Sequence, residues 1–276
     1  MRWKEISLVA RILIVIVMVA LAVVTLVPFV YFISLSLSSY ADTYNVFLWP
    51  KGFHWQNYVE AWQTINVSVY YRNSLYVTAL GLLLNIIVGS MAAYSFARAE
   101  IMVKEPLFNL ILAGLILSGE SLLIPLFISA KTVEILNQWW TLPLVYATIG
   151  LPFTILVMRA FFETIPSDII DAAIIDGCNT FQMFFRIMIP LSRAAVLTVG
   201  LFQFIWIWDE FILAISLVTK ESLKTLPGGL AKFMGEYFIN YPVLAAALVL
   251  IVIPVLIVYS ITQRQLVRGM TMGAIK

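Results

Sequence analysis

The sequence predicts an all-α polytopic integral membrane protein with six transmembrane helices and a bent cytoplasmic loop. Three observations carry that prediction. Of 276 residues, 62% are hydrophobic and 12% charged, with a mean hydropathy of +0.97; soluble domains run at roughly 45–50% apolar and about 25% charged. That excess cannot be hidden in one soluble core, so lipid must solvate much of the chain. Six apolar segments, near 12–34, 73–96, 106–129, 139–161, 194–217 and 241–262, each hold about 20 residues, enough for a helix to cross roughly 30 Å of hydrocarbon. Between the fourth and fifth lies a polar interlude, 162–193.

The first segment follows Arg2, Lys4 and Arg11 and passes through Ala20-Leu21-Ala22, which faintly resembles a signal-peptide cleavage site. Its apolar run of about 22 residues is longer than the roughly 7–15 of a signal peptide, so it reads as an uncleaved span. Six spans place both termini on one side. With the N-terminus inside, 11 of the 17 Lys and Arg residues face the cytoplasm and 6 face outward, so both termini and the interlude are expected to be cytoplasmic. The outer loops 35–72 and 218–240 carry Trp49, Trp55, Trp62, Tyr70, Tyr71 and Tyr237. These fit an interfacial aromatic belt, or a rim that receives a soluble partner. No internal repeat or low-complexity linker is visible, so 1–276 is expected to be a single domain.

Composition also excludes several functions. A net charge of +2 gives no case for nucleic acid. One cysteine, Cys178, rules out an intrachain disulfide framework, and one histidine, His54, cannot build a His-rich metal site. No Gly-rich phosphate-binding loop is present, so no nucleotide or cofactor site is expected on this chain.

The interlude reads as helix, sharp bend, helix. Ser167 or Asp168 can cap a first helix, with Asp171 expected in its first turn near the positive end of the dipole. Gly177 supplies a left-handed closing residue. Asn179 or Thr180 can cap a second helix, and Pro190 marks another break or kink. Such an element outside the membrane suits docking.

Asp171-Ala172-Ala173-Ile174-Ile175-Asp176-Gly177, followed after nine residues by Ile187-Met188-Ile189-Pro190, resembles the cytoplasmic loop of permeases of binding-protein-dependent ABC importers. Asp171 replaces the family's usual Glu, one methylene shorter with the charge kept. Phe184-Phe185-Arg186, Trp208-Asp209-Glu210-Phe211, Thr225-Leu226-Pro227-Gly228-Gly229-Leu230, Tyr71-Arg72-Asn73-Ser74-Leu75 and the tail 267–276 are similar to the smaller permease of maltose-type carbohydrate importers. The resemblance covers nearly the whole chain and is strongest over 160–276. It implies a multi-pass subunit of a prokaryotic cytoplasmic (inner) membrane. Its partners would be a second homologous permease, a cytoplasmic ATPase dimer that binds ATP and Mg²⁺, and an extracytoplasmic solute-binding protein. The 166–190 loop, with Asp168, Asp171, Ala172, Ala173, Asp176 and Gly177, would seat in a groove of the ATPase.

Three acids lie in apolar segments: Glu120 near the middle of the third, and Asp209 and Glu210 in the outer half of the fifth. A charge at the bilayer centre costs on the order of 2.5–3.5 kcal/mol, so each should face protein or water. Pairing with a neighbouring helix and a place along a solute pathway or gate are the two readings of each. Trp206, Trp208, Phe202 and Phe211 could stack on sugar rings, but aromatic packing is the preferred reading.

The expected function is therefore half of an ATP-driven import pathway for a sugar or oligosaccharide. A glycerol phosphate ester or a uronate oligosaccharide would call for deep cationic residues, which the spans lack. A self-sufficient ion-coupled secondary transporter would use Glu120 or Asp209 as relay, but it predicts internal repeats and leaves the docking loop idle.

Overall fold

The computed structural model describes residues 7–44, 49–50, 52–64, 66–99, 102–234 and 240–274, with side chains at 264–274 and at 234 excluded. Arg2, Lys4, Lys51, Tyr237, Ile275 and Lys276 lie outside the described residues, as do the side chains of the C-terminal motif. Among the described residues the ordered elements are all helical. The chain divides into two compact units, Met1–Val67 with Lys232–Val252, and Ser68–Ala231 with Ile253–Lys276.

In the first unit, α1 (Leu8–Ser36) is capped by Ser7, whose Oγ accepts from the Ala10 N–H. It carries Pro28, and its most apolar stretch is wholly exposed. That is the surface expected where lipid or another subunit replaces water. Helix α2 (Gln56–Thr64) is tied to the end of α1 by the Asn57 side chain, which donates to the Ser36 and Ser38 carbonyls at 2.9 Å each. The Ser36 and Tyr58 hydroxyls lie 2.7 Å apart.

The second unit is built on α3 (Val67–Arg98). Next come α4 (Lys104–Ala113), a 3₁₀ turn at Gly114–Ile116, α5 (Leu123–Thr132) and α6 (Thr141–Thr164). The interlude supplies α7 (Ser167–Ile175) and α8 (Thr180–Met183), a π-helical turn at Phe184–Met188, and α9 (Ile189–Leu191). Beyond lie α10 (Arg193–Asp209), α11 (Ile212–Leu217) and α12 (Leu226–Gly229); α13 (Ala231–Met234) belongs, from Lys232 on, to the first unit. The last helix, α14 (Tyr241–Ala274), runs through both units.

Among the described residues, four helices are long and apolar enough to cross a membrane: α1, α3, α6 and Tyr241–Gln263 of α14. Thr180–Leu191 and Arg193–Asp209 form a pair bent by 78°, a fifth span if counted as one. The segment expected at 106–129 is interrupted. Helices α4 and α5 have ten residues each, about 15 Å apiece and half a bilayer core. The chain opens at Leu117, and Ser118 Oγ accepts from the Ser121 N–H in a local turn. Pro125 stands third in α5, where its missing N–H costs no helical bond. The segment expected at 194–217 is likewise split, at Glu210-Phe211.

Polar side chains join α3, α6 and α10 in the interior. Asn85 Nδ2 donates to the Ala147 carbonyl at 2.8 Å, Thr154 Oγ1 donates to Asn85 Oδ1 at 2.5 Å, and Gln203 Nε2 donates to the Gly150 carbonyl at 3.0 Å. Gly150 permits this approach: a β-carbon there would stand 2.5 Å from Gln203 Oε1 and 2.7 Å from Asn85 Nδ2. Such interhelical bonds in membranes contribute about 0.6 kcal/mol on average. An apolar cluster of Ala93, Phe96, Phe108, Met158 and Phe162 lies beneath the interlude.

Candidate functional site

The interlude is shaped by local rules from its first residue. Pro166 disfavours a helical Ile165; Ile165 is extended at ψ 124° and α6 stops there. The N-cap of α7 is Pro166, with no side-chain capping bond, so Ser167 and Asp168 both lie inside the helix. Asp168, not Asp171, is the acid of the first turn, where the helix dipole favours it.

The far end of α7 is a Schellman closure. Asp176 is the C-cap, Gly177 has φ +81°, its N–H donates to the Ile174 carbonyl at 3.0 Å, and the Cys178 N–H donates to the Ala173 carbonyl at 3.0 Å. Asn179 then caps α8 in a full capping box with Gln182, at 2.8 and 3.0 Å. Pro190 is helical, and the break follows two residues later at Ser192.

The two faces of α7 differ. Asp168, Asp171, Ala172 and Ile175 recur at i, i+3, i+4 and i+7 and are all exposed, as are Asp176 and Gly177. Ile175 is 85% exposed. Ala173 is 5% exposed and packs into the protein's own core with Phe162, Ile165, Met183 and Phe184. Its small side chain therefore serves the seat of α7 on this chain, while Ala172 is presented outward. A surface of three carboxylates around a small residue and a bare isoleucine suits a partner with an apolar cleft and basic rim.

The remaining sequence candidates do not converge. Glu120 is exposed in the break between α4 and α5. Asp209 is exposed at the end of α10. Glu210 caps α11: its carboxylate accepts from the Leu213 N–H at 2.7 Å, the Ala214 N–H at 2.9 Å and the buried Tyr146 hydroxyl at 2.5 Å. Trp208 is 1% exposed and packs on Tyr71 and Phe204, with ring centroids 5.6 and 5.7 Å away. The sequence reading passed over Asn85, Gln203 and Arg98. The first two announce themselves as amides within apolar spans, a signal for interhelical bonding.

Residues 85–272 match the family described as the binding-protein-dependent transport system inner membrane component. The sulfoquinovosyl glycerol transport system permease protein SmoH of Agrobacterium fabrum is 35% identical over 91% of this chain and 89% of its own. The diacetylchitobiose uptake system permease protein NgcG of Streptomyces coelicolor is 32% identical over 92% and 85%. A solved structure of a bacterial ABC transporter involved in the import of the acidic polysaccharide alginate has a chain 25% identical to this one, with a TM-score of 0.81 over 94% of this chain and 98% of that chain.

The fold and these likenesses define an ABC importer permease. The chain belongs to the family of binding-protein-dependent transport system inner membrane components.

Proposed function

We propose that this chain forms half of the translocation pathway for a sugar or oligosaccharide, and that α7 and the turn after it dock a separate ATPase that binds ATP and Mg²⁺. The observation that carries the docking role is the outward stripe Asp168, Asp171, Ala172 and Ile175, closed by Gly177 and held from behind by Ala173. Both termini and the 162–193 loop lie in the cytoplasm on this reading, and a second homologous permease completes the pathway. The broken segments α4–α5 and α10–α11 take the places of the third and fifth of six spans. A solute-binding protein delivers substrate from the outer side.

The sugar assignment rests on the relatives' named transport of sulfoquinovosyl glycerol and diacetylchitobiose. An acidic oligosaccharide is the second reading, favoured by the structural likeness to the alginate importer. Co-purification of this chain with its partners, followed by reconstitution into vesicles, tests the proposal. Binding protein loaded with its sugar should stimulate ATP hydrolysis and uptake, and Asp171→Lys with Ala172→Trp should abolish both while the chain still inserts. Full uptake by that double variant would remove α7 from docking, and uptake by this chain alone would make it a secondary transporter.

A further inference from the structure

The longest uninterrupted object in the second unit is α3, and both of its ends grip loops. At one end Tyr70, Asn73 and Ser74 occupy i, i+3 and i+4 on one face. The Tyr70 hydroxyl donates to the Glu221 carboxylate. Asn73 Nδ2 donates to the carbonyls of Ser222 and Lys224 at 2.8 and 2.9 Å, and Ser74 Oγ accepts from the Leu226 N–H at 2.7 Å. A β-carbon on Gly229 would run into the Tyr70 ring. This loop is also fixed from its other side. Asn137 Oδ1 accepts from the Thr219 and Lys220 N–H groups at 2.7 and 3.0 Å.

At the opposite end the grip is on the interlude. Arg98 donates through one guanidinium nitrogen to the carbonyls of Phe162 and Ile165, both at 2.6 Å. Those carbonyls close α6 immediately before Pro166, where the charge meets the negative end of the helix dipole. One turn back, the Tyr94 ring packs on Phe162 at 6.2 Å and on Phe184 at 5.7 Å. Phe162 precedes α7 and Phe184 follows α8. Two residues of α3, at i and i+4, therefore hold the entry of the interlude and the turn that follows α8.

Between these grips α3 has no proline, whereas α1, α6 and α14 carry Pro28, Pro152 and Pro254 in their interiors. Asn73 and Arg98 are 25 residues apart in one helix, about 38 Å. An unbroken helix moves its two ends together, while a proline or a Gly-Ser pair gives a helix a place to bend. The Gly89-Ser90 pair of α3 lies within the continuous helix, with Gly89 packed so closely on α6 that a β-carbon would stand 2.5 Å from the Thr154 methyl.

We infer that α3 is the strut that makes the 218–230 loop and the interlude move as one body, with Asn73 and Arg98 as its positioning residues. This rests on the proposed function, in which the two loops face the binding protein and the ATPase. Arg98 acts at carbonyls that fix the start of α7, and Asn73 at carbonyls that fix the outer loop.

A double-mutant cycle in the reconstituted complex tests it, read as the stimulation of ATP hydrolysis by sugar-loaded binding protein and as ATP consumed per sugar moved. Asn73→Ala and Arg98→Met should each lower the stimulation by about threefold to thirtyfold and raise the ATP consumed per sugar. Sites this far apart normally give additive effects. A strut predicts that the double variant is no worse than the more affected single one, because either lesion already breaks the link. Effects that multiply, or single variants with unchanged coupling, would overturn the inference. Arg98→Gln replaces Arg98→Met in the same cycle if the latter does not assemble; a shorter, neutral side chain loses both the charge at the end of α6 and the reach to the two carbonyls, so the same non-additivity is expected. A wild-type complex with no stimulation by binding protein would instead refute the proposed function.

Discussion

Gly177 has no atom within 4 Å of the place where a β-carbon would sit, yet its φ is +81°. A side chain there meets backbone strain but no clash. Gly177→Ala should cost about 1 kcal/mol of stability, with Gly177→Asn costing less, as thermal unfolding in detergent would show. Ala172 and Ala173 are adjacent in the chain and opposite in role. Ala173→Trp overpacks the protein's own core and should lose about 1–3 kcal/mol of stability. Ala172→Trp should leave stability unchanged and abolish co-purification with the ATPase. Equal thermal losses in the two variants would contradict the separation of faces. The bend at Gly177 was legible in the sequence because it follows from a single residue type, and the second cap was legible to within one residue, Asn179 or Thr180. Which alanine faces outward was not, because two neighbouring alanines carry no phase and α7's orientation is set by Phe162, Ile165 and Phe184 from outside it.

Among the elements, the apolar segments were legible and their interruptions were not. A hydropathy window averages across Ser118-Gly119-Glu120-Ser121, and the apolar residues on both sides conceal the turn. The signals were nonetheless present, in small polar residues followed by Pro125. The acid pair Asp209-Glu210 reads differently for the same reason: Glu210 is the cap that allows α10 to stop and α11 to start. Glu210→Ala should cost about 0.5–2 kcal/mol, the usual loss on removing a helix cap, again measured by thermal unfolding.

Helices α4 and α6 are joined by Glu105, whose carboxylate accepts from Arg159 at 2.5 and 3.1 Å. The hydrogen-bonded Arg159 guanidinium holds the Glu105 carboxyl below its usual range. A depressed carboxylate contributes its stabilisation above its unfolded pKa and loses it as pH falls through the lower folded value. Melting temperature should therefore drop on acidification in the region of roughly pH 3 to 5, and Glu105→Gln should flatten that limb without changing the neutral-pH trend. An unaltered acid limb in the variant would show that other carboxylates govern it.

At the scale of the molecule, the chain leaves α1 exposed along its apolar length and presents α7's acidic stripe outward. On the proposed function, lipid or a second permease covers the first surface and an ATPase the second. The fold class was legible from composition, and the family from the interlude's Asp171–Gly177 motif with Ile187–Pro190 after it. The strut was not, because its grips join residues about 65 and 150 positions apart in the chain. The central claim is that α7 sits against the ATPase, and a cross-link tests it most directly. Ile175→Cys, placed on a Cys178→Ser background in the assembled complex, should form a cross-link to the ATPase subunit whose yield changes on adding ATP. A complex that still imports sugar but never joins residue 175 to the ATPase would contradict the account.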